Sequence, residues 1–249
     1  MMDTSWHGYR AEPFTFEGRD AIVVFPEKPL SGSPWLLKTE YWDAFPDIEL
    51  RLLEKGFHVA FVSNRNRWAT QEECRVKARF VEYVSVHYGL DRKCIPVGMS
   101  CGGAYAVKFG GMFPHLVRGL YADAPVLNFC SIPGKTGVAF NETIWDREFT
   151  VAYPGIRRHQ LPGWGEHPIC FVENLIKERV PVLLVYGKED STVLYEENGR
   201  LLKDAYEGTG LLKCIAVPAR GHHPHGMIGD NSVIVDHITQ WAPKEDILP

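Results

Sequence analysis

"PVGMSCGGAYAV" (96–107) sets a serine among glycines at the point where an apolar run gives way to a helical pattern. Gly98-Met99-Ser100-Cys101-Gly102 is a G-x-S-x-G. A turn tight enough to join a strand directly to a helix strains the backbone of its central residue. Side chains two positions to either side would clash, so glycine is required there. The serine oxygen then stands at the top of the sheet, with the next backbone N–H aimed at the same space. Glycine and serine are common in ordinary turns too, so the reading depends on the flanks. "CIPVG" (94–98) reads as a strand, although Pro96 removes a ladder hydrogen bond and is disfavoured in a central strand. "CGGAYAVKFGGMF" (101–113) reads as a helix stopped before Pro114, with Gly103, Ala104 and Ala106 small enough for close packing.

Outward from this turn, apolar runs alternate with helical patterns. Strands are predicted at 21–26, 34–39, 58–63, 117–125, 180–187 and 211–218, and helices at 44–57, from Thr70 to about Gly89, at 195–208 and at 231–242. Gly56 is a C-cap candidate, and Thr70 with Glu73 is a capping-box signature. In the helix that this box opens, Cys74, Ala78, Val81, Ser85 and Tyr88 share one face. The alternation predicts an α/β fold, a mostly parallel, doubly wound sheet with helices on both faces. Residues 126–179 break the rhythm and read as a lid-like insertion over one end of the sheet. The length of 249 residues fits a single domain spanning 1–249.

Composition bounds the function. Apolar residues make up 45% and charged residues 23%, and the net charge is -4 without a basic stripe, so neither nucleic acid nor an anionic membrane surface is an expected partner. The N-terminus lacks the apolar core of a secretory signal, and no run is long enough to span a bilayer. A cytoplasmic location is the expectation. The six cysteines are scattered with no C-x-x-C pair and read as buried free thiols.

Ligands of open α/β sheets bind beyond the carboxyl ends of the strands, and three turns there carry chemistry. Ser100 is a candidate nucleophile. "YGKEDSTV" (186–193) offers Asp190, ahead of Glu189, as a carboxylate able to fix a histidine tautomer. Asp123, after another strand, competes for that role. "PARGHHPHG" (218–226) offers His222, His223 and His225, and histidine is the side chain whose chemistry suits a general base. A histidine cluster also suits zinc, but adjacent histidines rarely point at one ion, and no metal is expected.

The three blocks in the order Ser, Asp, His resemble the α/β-hydrolase superfamily over nearly the whole chain. More narrowly, with "TEYWDAFP" (39–46) and "DAPV" (123–126), the chain is similar to small bacterial esterases and prolyl-oligopeptidase-like serine hydrolases. The resemblance implies Ser100 as nucleophile, His222 as general base and Asp190 as acid. It also implies an oxyanion hole from the Cys101 N–H and the backbone of Glu40 or Tyr41. Thr39-Glu40-Tyr41-Trp42 stands where esterases usually carry a His-Gly pair. The implied activity is hydrolysis of carboxylic esters of small polar substrates, acylated sugars among them, with no cofactor. A peptidase and a non-catalytic hydrolase-fold binding protein are the alternatives. Trp42, Asn64, Arg67, Trp68, Trp145 and Trp164 are candidate substrate contacts, with lid core and surface charge as the plainer reading. The partner expected is a small-molecule ester, and a homo-oligomer is left open.

Overall fold

A computed structural model describes residues 5–131 and 144–243. One nine-stranded sheet runs through it. The strands are β1 (Ser5–Trp6), β2 (Tyr9–Phe16), β3 (Arg19–Val24), β4 (Trp35–Lys38), β5 (His58–Val62), β6 (Ile95–Met99), β7 (Leu120–Asp123), β8 (Val182–Gly187) and β9 (Leu212–Val217). Their spatial order is β1-β2-β3-β5-β4-β6-β7-β8-β9. The first four neighbours in that row pair antiparallel, and everything from β5 to β9 is parallel. The hairpin β1–β2 escapes the sequence reading. "YRAEPFTF" carries charges and a proline, which suit the margin of a sheet and hide a strand from an apolar-run criterion.

Among the described residues, the helices of six residues or more that cover the sheet are α1 (Asp47–Glu54), α2 (Gln71–Tyr88), α3 (Cys101–Met112), α4 (Val172–Lys177), α5 (Gly199–Ala205) and α6 (Ser232–Thr239). Alternation along the strands sorts the core into two layers. Leu36, Val59, Val97, Tyr121, Leu183 and Val185 pack against Ile48, Leu52 and Leu53 of α1 and Ile234, Val235 and Ile238 of α6. Leu37, Ala60, Ala122, Val182 and Leu184 pack on the opposite face with α2 to α5. The sheet is therefore sandwiched between helices, as predicted. Thr70 caps α2 by accepting from the Glu73 N–H at 3.4 Å, and Gly89 ends the helix at φ +66°. The Glu73 carboxylate does not complete the box in return, because it is drawn into a buried pair with Arg19 at 2.7 and 2.9 Å.

Pro96 does lie inside the central β6, between β4 and β7. Cys94 bonds through both its N–H and its C=O to the chain before β7, and the Ser100 N–H bonds to Asp123. The two-residue period therefore points position 96 the same way. On that side the pairing passes from Cys94↔Val117 to Val97↔Tyr121, three steps against four. The proline nitrogen falls where an extra residue interrupts the ladder, which is why its missing N–H is tolerated.

The described residues of 126–179 depart from the helix–strand rhythm. Where described, they form short helical turns at Phe129–Ser131, Trp145–Phe149, Arg158–Gly163 and Pro168–Phe171 ahead of α4. Their aromatics make one packed layer: the Phe129 and Phe149 rings lie 5.1 Å apart, with Trp68 5.4 Å from Phe149. Lys108 of α3 bonds Glu166 at 2.7 Å, and Arg67 holds Glu148 through two bonds of 2.6 and 2.9 Å. Residues 132–143 of the expected insertion lie outside the described residues.

Candidate active site

β6 passes into α3 with a single residue, Ser100, between them, at φ +54° and ψ -119°. A non-glycine residue in that region is strained. The strain is held by the Ser100 N–H, which donates to Asp123 O at 2.9 Å, and by the Ser100 C=O, which accepts from Val126 N at 3.0 Å. A Cβ at Gly98 would stand 2.2 Å from Gly102 O, so no side chain fits there. Cys101 begins α3, and its N–H has no partner within the helix.

Three of the predicted residues meet. His222 Nε2 lies 3.1 Å from Ser100 Oγ, and His222 Nδ1 lies 2.8 Å from Asp190 Oδ2. A carboxylate only accepts, so Nδ1 carries the proton and Nε2 is bare toward the serine hydroxyl. The other carboxylate oxygen of Asp190 accepts from Thr192 N at 2.8 Å and Val193 N at 2.9 Å. Burial pushes this carboxyl upward, but the bonds from His222 and the two amides outweigh it and hold it below the ordinary value. The arrangement can pass a proton from Ser100 Oγ to His222 and stabilise the imidazolium that results.

Asp123 is engaged elsewhere. It takes two bonds from Arg220 at 2.7 and 3.0 Å, one from Tyr121 Oη at 2.8 Å and one from Gly226 N at 2.6 Å, and it lies 3.3 Å from His225 Nδ1. This buried knot ties the histidine loop to the end of β7. His223 is exposed and stacks on Phe45, centroids 5.3 Å apart.

The loop after β4 lies against the first turn of α3. Thr39 Oγ1 stands 2.7 Å from Gly102 O and 3.0 Å from Val97 O, and a Cβ on Gly102 would come within 3.2 Å of Glu40 Cβ. Tyr41 adopts φ +55°. The Glu40 side chain turns inward: Asn64 Nδ2 donates to its carboxylate at 2.5 Å and to Thr39 O at 2.7 Å. Burial raises the Glu40 carboxyl above its usual range, and burial lowers the nearby Lys77 amine to about 8. The Cys101 thiol is pushed by burial to about 11, so it stays protonated and acts as packing.

A cavity of about 120 Å³ opens at Ser100 and Cys101, lined further by Arg67, Trp68, Val126, Ser131, Ile144, Thr192, Val193 and Asn198. Of the six expected substrate contacts, Arg67 and Trp68 line it. The other four are not among its lining residues. Trp42 packs on Trp6 at 4.9 Å and on Phe61 at 5.4 Å, serving the β1–β2 end of the sheet. Trp145 is buried and stacked on Phe149 at 5.1 Å, and Trp164 packs on Tyr153 at 4.6 Å. Asn64 is occupied with the Thr39–Glu40 loop. Aromatic bulk in an insertion more often fills that insertion's own core than a binding site. Val126, Thr192 and Val193 were missed, although they follow β7 and β8 and the strand-end rule that singled out Ser100 covers them. Asn198, also missed, accepts from Leu127 N at 2.8 Å and Asn128 N at 3.0 Å and so shapes one wall.

Among the described residues, no helix is long and apolar enough to cross a membrane. Among the described residues no disulfide joins the six cysteines, and Cys74, Cys94 and Cys101 are buried as expected, whereas Cys170 is exposed.

No family model matches the chain, and no curated protein does. Solved structures do. The chain is similar to the fluorophosphonate-binding serine hydrolase F of Staphylococcus aureus (TM-score 0.68, 15% identity, 95% of this chain and 98% of that one). It is similar to Est1E of Butyrivibrio proteoclasticus (TM-score 0.65, 16% identity, 94% and 99%). It is also similar to the acylaminoacyl peptidase of Pyrococcus horikoshii (TM-score 0.66, 14% identity), covering 86% of this chain but only 38% of that longer one. With a mostly parallel sheet and a serine at the β6–α3 turn, the chain has the α/β-hydrolase fold.

Proposed function

We propose that this protein is a serine hydrolase that cleaves carboxylic esters of small polar substrates. The observation that carries the reading is the hydrogen-bonded chain from Ser100 through His222 to Asp190, built on a strained turn. Ser100 Oγ attacks the ester carbonyl carbon while its proton passes to His222 Nε2. The negative charge that grows on the carbonyl oxygen is met by the Cys101 N–H and by a backbone amide of the Glu40–Tyr41 loop. Collapse of the tetrahedral intermediate expels the alcohol, which takes its proton from His222. Water, deprotonated by the same histidine, then hydrolyses the acyl-serine.

The cavity beside Ser100 suits a small ester with a polar alcohol. Val126, Val193 and Trp68 supply apolar wall, while Arg67, Ser131, Thr192 and Asn198 supply polar groups for a hydroxylated alcohol.

Labelling with a fluorophosphonate probe is expected in the native chain and absent in Ser100→Ala; equal labelling would sink the nucleophile assignment. A panel of acetyl esters, longer acyl esters and aminoacyl arylamides is expected to show short esters turned over fastest. Exclusive cleavage of the arylamides would replace the esterase reading with a peptidase, the reading favoured by the likeness to the acylaminoacyl peptidase.

A further inference from the structure

The loop that carries His222 places two more imidazoles beside it. The ring centroids of His222, His223 and His225 lie 4.8, 5.3 and 5.0 Å apart in the three pairings. One nitrogen from each ring falls within a sphere where no two are more than 4.8 Å apart. Adjacent histidines therefore converge here, contrary to the expectation from sequence. Two of the three are also held as metal-ligating histidines usually are, with one ring nitrogen against a carboxylate. His222 Nδ1 faces Asp190 at 2.8 Å, and His225 Nδ1 faces Asp123 at 3.3 Å. In each of these two rings Nε2 is the nitrogen not turned to a carboxylate.

We propose that His222, His223 and His225 form a zinc site that, when filled, takes His222 Nε2 away from Ser100 and holds the centre inactive. Three imidazoles suit zinc and leave a fourth position for water. Tetrahedral zinc with Zn–N bonds of about 2.0–2.1 Å sets ligand nitrogens about 3.4 Å apart. The cluster must contract to reach that spacing, and the exposed His223 would leave its stack on Phe45 to move inward. The zinc occupies the Nε2 lone pair that otherwise accepts the Ser100 proton, so the hydroxyl hydrogen bond is lost and no base remains. The inhibitory consequence rests on the serine hydrolase reading; the metal site itself does not.

The test uses the full chain and zinc chloride alone. Calorimetric titration is expected to show one ion bound per chain, reversed by EDTA, with magnesium giving no binding because it prefers oxygen ligands. The rate of fluorophosphonate labelling is expected to fall over the same zinc range. His223→Ala should label at the native rate without metal, and its zinc affinity and its zinc sensitivity should both drop at least about tenfold. Zinc affinity in His223→Ala equal to the native chain's overturns the site, and so does an absence of zinc binding to the native chain. If the metal-free native chain takes no label, the nucleophile assignment falls, and the calorimetry still decides the site.

Discussion

Asp190 does two jobs with its two oxygens. One holds His222 Nδ1 and the other accepts from the Thr192 and Val193 amides, which fixes the carboxylate without help from solvent. Asp190→Asn is nearly isosteric and can still accept from the amides, so the fold should survive. The new amide can donate to His222 Nδ1, which selects the tautomer with its proton on Nε2, facing Ser100 where a lone pair is needed. Turnover is expected to fall by about 10⁴ with little change in melting temperature. Near-native turnover measured on a short ester would remove Asp190 from the mechanism. Residue by residue, the three turns were legible in the sequence because each block follows an apolar strand. The competition between Asp190 and Asp123 was not. Both follow strands on one sheet edge, and only the contacts of Arg220 and His222 distinguish them.

At the scale of elements, α2 is a test of how much a cap matters. Its N-terminus is set by Thr70, yet the Glu73 expected to reciprocate is committed to Arg19, itself buried. Thr70→Ala is expected to cost about 1 kcal/mol, read as a shift in urea midpoint, with ester turnover unchanged. A loss well beyond that would mean the threonine also supports the Arg67–Trp68 segment that leads into the helix. Helices with strong periodicity and end signals, such as α2 and α3, were readable from sequence to within a residue or two. β1 and β2 were not, because a marginal hairpin needs no continuous apolar run. The packing of Trp42, Trp145 and Trp164 was not readable for a related reason: composition identifies an aromatic side chain but says nothing about which neighbour it meets.

Across the whole molecule, the histidine loop is fastened to the sheet through a fully buried ion pair, Arg220 with Asp123, joined by Tyr121, Gly226 and His225. Asp123→Asn leaves Arg220 buried without its charge partner, and a loss of about 3–5 kcal/mol is expected. Burial alone would raise the Asp123 carboxyl; the bonds from His225 and Arg220 outweigh it and set the value below that of an unfolded chain. The unfolded state therefore binds the proton first as pH falls. The stabilisation is fully present above the unfolded carboxylate pKa of about 3.9 and is lost as pH drops through the lower folded value. Urea unfolding from pH 7 down to pH 3 should show a steep acid loss in the native chain and a shallower one in Asp123→Asn. Parallel slopes would place the acid sensitivity elsewhere.

The amino-acid sequence by itself determined the layered α/β plan, the turn that strains Ser100, and the three strand-end blocks from which a nucleophile, a carboxylate and a base are drawn. These are properties of local spacing, where alternation, glycine frames and caps act over a few residues. Only the tertiary structure decided which carboxylate faces His222, which aromatics border the cavity, why Pro96 is tolerated in a central strand and that three histidines converge. Each of those depends on contacts between segments far apart in the chain, whose distances and orientations follow from packing and leave no trace in the local pattern.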